Sequence, residues 1–203
     1  ALDRRGQDIF LDMVDRPREV NGFFDRIAEL IDRFTAYIET ETGTTSISVN
    51  RTVRHIKEPV FLHSECALTM ISTVYYESFI LPYDAAWSLR RRPFGIHYCG
   101  ADPHRFADVF VKIPRLDFLD VGWGGDLAAL RERLPRTFLN IRLSPVEIVS
   151  QSVDEIRQGI ETRVAASGNP YLTGVCCINM DDRVTDDKVR AIFQTVYALR
   201  RAV

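Results

Sequence analysis

The sequence predicts an α/β fold built on a parallel sheet. Short apolar segments of strand type recur from residue 59 onward, each is followed by a segment of helical type, and the loops between them are short. Parallel strands need crossovers, and helices at this spacing supply them. With 203 residues, 46% hydrophobic and 27% charged, the chain has ample apolar surface for one core. The formal net charge of -2 gives no electrostatic reason to expect nucleic acid or an anionic membrane as partner.

The first helix is expected over about Arg16 to Thr40, with Asp15 as cap and Pro17 in its first turn. Phe23, Phe24, Ile27, Leu30, Ile31, Phe34 and Ile38 form its apolar stripe, and Gly43 marks its end. Thr44 to Glu58 is polar and reads as a short strand or a loop. Pro59 to His63 then reads as a strand, and Ser72 to about Arg90 as a helix. Pro82 should kink that helix, because it lacks a backbone donor and crowds the preceding turn.

Phe94 to Cys99 reads as the next strand, followed by a helix from Asp102-Pro103 to about Ile113. Leu116 to Val121, Thr137 to Leu143 and Leu172 to Ile178 read as strands. Asp126 to Leu134, Ser152 to about Ala166 and Asp186 to Ala202 read as helices. Ser152 and Glu155 have capping-box spacing. A closed barrel of such units has eight strands and roughly 250 residues. About five strands are found here, so the chain is about three βα units short of closure.

No apolar run reaches membrane-spanning length, and Ala1 to Arg5 lacks the order of a signal peptide. A cytoplasmic location is the expectation. The cysteines are Cys66, Cys99, Cys176 and Cys177, too few for a disulfide scaffold in a chain this long.

His97-Tyr98-Cys99-Gly100 carries the densest chemistry. Strand side chains alternate, so His97 and Cys99 share a face, and they end their strand. In α/β barrels that end bears the active site. Cys176 and Cys177 lie near the end of the last strand. One imidazole and two thiolates suit zinc with an open fourth position; the alternative is that these thiols merely pack.

Glu65, in His63-Ser64-Glu65-Cys66, is a candidate fourth, exchangeable ligand, and Cys66 is another; the alternative is a polar strand end with a packed thiol. Asp120 can orient His97 through its free ring nitrogen or touch substrate, or cap a loop. Asn140 and Arg142 share a face near their strand end, Asn140 as a cofactor contact. Arg142 suits a ligand carboxylate or phosphate, or an internal ion pair. His104 reads as solvated, Arg90 to Arg92 as a helix end, and Trp87 and Trp123 as packing residues.

Over about Val60 to Arg200 the chain resembles the uroporphyrinogen decarboxylase superfamily. The likeness rests on Met70-Ile71-Ser72, on Tyr76-Glu77-Ser78-Phe79-Ile80-Leu81-Pro82-Tyr83 and on Ile96-His97-Tyr98-Cys99-Gly100. Asp117 to Asp120 followed by Trp123-Gly124 fits the next strand end. The resemblance implies the C-terminal half of a (β/α)8 barrel. Within this superfamily, methylcobalamin:coenzyme M methyltransferases hold zinc with a His-x-Cys pair and a distant cysteine. Carried over, His97 and Cys99 take the first two places. Aligning on Ile178 puts Cys176 in the third, with Cys177 still open.

The activity so implied is zinc-dependent methyl transfer from a corrinoid, free or on a partner protein, to a small thiol-type acceptor. Asn179-Met180-Asp181-Asp182 is more acidic than that family's pattern, and the N-terminal half of the barrel is not present, so substrate identity does not carry over. Two rival expectations share the fold. One is a metal-free lyase acting on a porphyrinogen or another carboxylated ligand. The other is a non-catalytic half-barrel whose open side is covered by a partner or by a second copy in a homodimer.

Overall fold

The structure is a computed structural model and describes residues 1–43, 58 and 60–201. The segment 44–57 and Pro59, where a strand or loop and the start of the next strand were expected, lie outside the described residues. Five strands form one sheet: β1 (Phe61–Ser64), β2 (Phe94–His97), β3 (Phe118–Val121), β4 (Phe138–Leu143) and β5 (Thr173–Cys177). They pair in sequence order and all in parallel. Helices lie between consecutive strands, as parallel pairing demands.

Three helices precede the sheet: α1 (Leu2–Arg5), α2 (Asp8–Asp15) and α3 (Pro17–Thr42). The expected cap at Asp15 is corrected, because that residue ends α2. Arg16 occupies the N-cap of α3 without capping it through its side chain, and Pro17 opens the helix. The apolar stripe of α3 is only partly used. Val20, Phe24 and Thr35 are buried, and Phe23, Ile27 and Ile31 pack against the core. Leu30, Phe34 and Tyr37 are exposed on an adjacent helical row. Polar ties hold α3 in place: Trp87 Nε1 donates to Asp32 (3.0 Å), Tyr83 to Asp25 (2.7 Å) and Arg91 to Glu39 (3.0 Å).

After β1, α4 (Thr73–Phe79) and α5 (Leu81–Arg90) meet at Ile80. Pro82 therefore breaks the expected single helix and sits in the first turn of the second. The helix expected from Asp102 is reduced to a 3₁₀ turn (Pro103–Phe106) and α6 (Ala107–Phe110). Asp102 makes no cap; its carboxylate takes a hydrogen bond from Tyr98 at 2.7 Å instead. Beyond β3 come α7 (Leu127–Arg133), capped by Asp126, then after β4 α8 (Pro145–Ser150) and α9 (Val153–Ala166), and after β5 α10 (Asp186–Arg201). The capping box of Ser152 and Glu155 is formed.

Register sorts the strand side chains onto two faces. Phe61, Phe94, Ile96, Leu119, Val121, Leu139 and Ile141 share the helix face and join the main core. Each such burial stabilises the fold by about 1.5–3 kcal/mol. On the opposite face, Leu62, Gly95, Phe118 and Phe138 form a row, with the two phenylalanines stacked at 5.7 Å. A Cβ at Gly95 would lie 2.9 Å from the Phe118 carbonyl oxygen, so glycine is what lets the row close. This apolar row underlies the polar one described next.

Candidate metal centre at the strand ends

Two residues further along each strand, Ser64, His97, Asp120, Asn140 and Gly174 stand in register across the sheet. Parallel pairing puts in-register side chains on one face, so His97, Asp120 and Asn140 are lateral neighbours. His97 Nδ1 is hydrogen-bonded to Asp120, which is fully buried. An ionised carboxylate can only accept, so Nδ1 is the donor of this pair and Nε2 is the ring nitrogen left to face a cation. Nε2 faces Cys99 Sγ at 3.0 Å and an Arg142 guanidinium nitrogen at 3.5 Å.

Cys99 Sγ in turn lies 2.7 Å from Cys66 Sγ, across the gap between the ends of β1 and β2. Cys66, His97 and Cys99 each offer a donor atom, and all three atoms lie within 4.8 Å of one another. Tetrahedral bonds of about 2.3 Å to one cation hold two sulfurs about 3.7–3.8 Å apart, so the Cys66 and Cys99 sulfurs, 2.7 Å apart here, would have to open by about 1 Å to take up an ion. Burial pushes the Cys99 thiol up, the neighbouring Cys66 adds to this, and Arg142 opposes it. A divalent cation would displace such protons, coupling metal binding to proton release.

Of the other expected ligands, Cys176 stands one step away. Its sulfur accepts from Asn140 Nδ2 at 3.1 Å and lies 4.0 Å from Asp120 Oδ1. Burial and the Asp120 charge push its thiol up to about 12. Cys177 faces the other way and packs with Leu143, Ile156 and Ile192. Glu65 joins His63 and Asp84 rather than the sulfur cluster.

Asp120 links the pieces, since Asn140 Nδ2 also donates to it at 3.0 Å. Arg142 donates to the Tyr98 carbonyl at 2.7 Å and lies over the Trp123 ring at 5.9 Å. It pairs with no carboxylate among the described residues, and its Nε has no hydrogen-bond partner. The buried guanidinium therefore sets a positive charge beside Cys99, which favours anionic groups there. His104 accepts from the Asp126 backbone N–H at 3.1 Å, which gives it a structural task.

A second cluster went unread in the sequence. On the helix face, His63 Nδ1 lies 2.8 Å from Asp84 Oδ1 and 3.0 Å from Glu65 Oε1. Tyr76 donates to Asp84 at 2.5 Å. The available signal was Asp84 itself, a charged residue at the buried helical spacing of Leu81, Asp84 and Ser88.

Burial disfavours the charge on His63, but the Glu65 and Asp84 carboxylates outweigh it and hold the imidazolium up to about 10. Burial likewise pushes the Glu65 carboxyl up. A raised His63 pKa contributes stability that is complete below its ordinary 6.5 and is lost as pH rises through about 10. In chelator, the denaturation midpoint is therefore expected to fall between pH 6.5 and 10, and His63→Gln is expected to flatten that fall. A midpoint constant over this window in the wild type would contradict the assignment.

No protein-family model matches the chain, and no curated protein matches it. No helix among the described residues is long and apolar enough to cross a membrane.

Proposed function

We propose that the chain is part of a (β/α)8-type barrel of the uroporphyrinogen decarboxylase kind and acts as a zinc-dependent methyltransferase. The observation that carries this reading is the gathering of Cys66, His97 and Cys99 at the C-terminal ends of adjacent parallel strands. The five in-order parallel strands support the barrel assignment. The resemblance around His97 and Cys99 supplies the reaction class: a methyl group leaves a corrinoid and joins a thiol-type acceptor.

Cys66 Sγ, Cys99 Sγ and His97 Nε2 would hold the ion. Zinc, when bound, keeps an acceptor thiol in its nucleophilic thiolate form near neutral pH. The rest falls to the chain's own residues. Asp120 fixes the ring of His97 and its tautomer by taking the Nδ1 proton's hydrogen bond. Arg142, anchored on Tyr98, keeps a guanidinium nitrogen 3.5 Å from His97 Nε2, where its positive charge would favour an acceptor carrying a carboxylate, sulfonate or phosphate. Trp123, half exposed, lies under the Arg142 guanidinium.

Cobalt substitution tests this directly. Reduced protein titrated with Co²⁺ is expected to develop an intense thiolate-to-cobalt band in the near ultraviolet. Cys66→Ser and Cys99→Ser should each weaken or abolish it. Cys176→Ser should keep most of it if Cys66 is the second sulfur, and weaken it if Cys176 moves in to replace Cys66. With zinc restored, methylcobalamin and a small anionic thiol should yield the methyl thioether. A folded protein giving no thiolate band with Co²⁺ would remove the proposal.

A further inference from the structure

The cluster on the helix face of β1 has more carboxylate than its one ring nitrogen can serve. A ring N–H points in a single direction, and that of His63 Nδ1 is used by Asp84 Oδ1. Glu65 Oε1, 3.0 Å from the same nitrogen, has no hydrogen-bond donor. Glu65 is 7% exposed and Asp84 0%. Among the described residues neither carboxylate pairs with a lysine or arginine. Buried polar atoms of this kind are normally satisfied, so the orphaned oxygen calls for a partner.

We propose that His63 Nδ1, Glu65 Oε1 and Asp84 Oδ1 form a divalent-cation site, separate from the thiol cluster and on the opposite face of the sheet. The three donor atoms lie within 4.8 Å of one another. A cation in place of the single proton satisfies both carboxylates at once, and their two charges balance its own. One imidazole nitrogen with two carboxylate oxygens suits Mn²⁺, Fe²⁺, Co²⁺ or Zn²⁺, and disfavours a soft ion that needs sulfur.

The surroundings already restrain these groups. Tyr76 holds the far oxygen of Asp84 at 2.5 Å, and Trp87 packs edge-on against the His63 ring with centroids 4.6 Å apart. Such outer contacts orient metal ligands. His63 and Glu65 also line a cavity of about 570 Å³ whose apolar walls include Phe10, Met13 and Phe24. The remaining coordination positions therefore face a space where water or an oxygen-bearing ligand can enter.

Mn²⁺ is the probe, because it binds carboxylate and imidazole sites and has little affinity for thiolates. The full chain, stripped with chelator and kept reduced, is titrated with Mn²⁺ while the electron paramagnetic resonance signal of the free aqua ion is followed. Wild type and Cys99→Ser are expected to bind one Mn²⁺ with equal affinity, and Mn²⁺ should raise the Tm of both. Glu65→Gln keeps the shape and removes one donor charge, so it should weaken binding at least about 10-fold and cancel the Tm rise. Should Glu65→Gln fold poorly, Tyr76→Phe provides the second variant, with binding weakened about 10–100-fold. An unchanged free-ion signal with wild type overturns the proposal. So does wild-type affinity in a folded Glu65→Gln or Tyr76→Phe, or binding lost in Cys99→Ser. Since Cys99→Ser leaves this site intact, its failure and the failure of the zinc reading are scored separately.

Discussion

Gly122→Ala is expected to destabilise the protein by about 3 kcal/mol or more, the upper end of what overpacking costs, and to disperse the donors at Cys66, His97 and Cys99. A Cβ on Gly122 would lie 1.7 Å from the Gly100 carbonyl oxygen and 2.7 Å from its carbon. These are backbone atoms, and no rotamer change can move them aside. The segment leaving β2 must shift, and Cys99 is the residue before Gly100, its own carbonyl oxygen 3.4 Å from the added atom. The measurement is a denaturant titration with Co²⁺ uptake on the same sample. Gly22→Ala is the control: nothing lies within 4 Å of its Cβ in the second turn of α3, so it should add about 0.5–1 kcal/mol through helix propensity. A Gly122→Ala protein with wild-type stability and an intact thiolate band would show that the loop packing is not as described.

The second large effect concerns Asp120. Asp120→Asn is expected to weaken cation binding at the thiol cluster about 10–100-fold, the range seen when a partner of a ligating histidine is changed. The carboxylate receives two donors, His97 Nδ1 and Asn140 Nδ2. Asparagine has the same size but one oxygen and one NH₂. Whichever way it turns, a donor meets a donor inside a fully buried site. That mismatch costs about 1–3 kcal/mol of stability and frees the His97 ring to rotate or change tautomer. Competition with a chelating dye reads the affinity, and denaturation reads the stability. Equal affinity in Asp120→Asn and wild type would mean that His97 is oriented by something else.

Much of the fold is legible in the sequence because its strands carry apolar residues on both faces. Phe94, Ile96, Phe118, Leu119, Leu139 and Ile141 leave little doubt about where the sheet runs. Helix starts at Ser72, Asp126 and Ser152 are legible for a local reason: each side chain caps a backbone N–H three residues away. The same rule fails at Asp102, whose carboxylate is taken by Tyr98 and Arg105. It fails at Asp15 because α2 already occupies that residue. Amphipathicity overstated the buried side of α3, since spacing marks every apolar row and packing covers only some. At the candidate centre, His97 and Cys99 are readable as a pair by strand alternation alone. Their meeting with Cys66, and the joining of His63, Glu65 and Asp84, are not.

The amino-acid order by itself determines that strands alternate with helices, that the sheet is parallel, and that an imidazole and a thiol leave β2 on the same side. Only the folded chain decides which second sulfur comes nearest. Register across β1 and β2 sets Ser64 beside His97, which brings Cys66 to Cys99 over a separation of 33 residues. The twin placement of β4 and β5 leaves Cys176 with Asn140 and Asp120. Hydrogen-bond registers between distant segments are settled by burying one whole face against the core, and no local pattern records that choice.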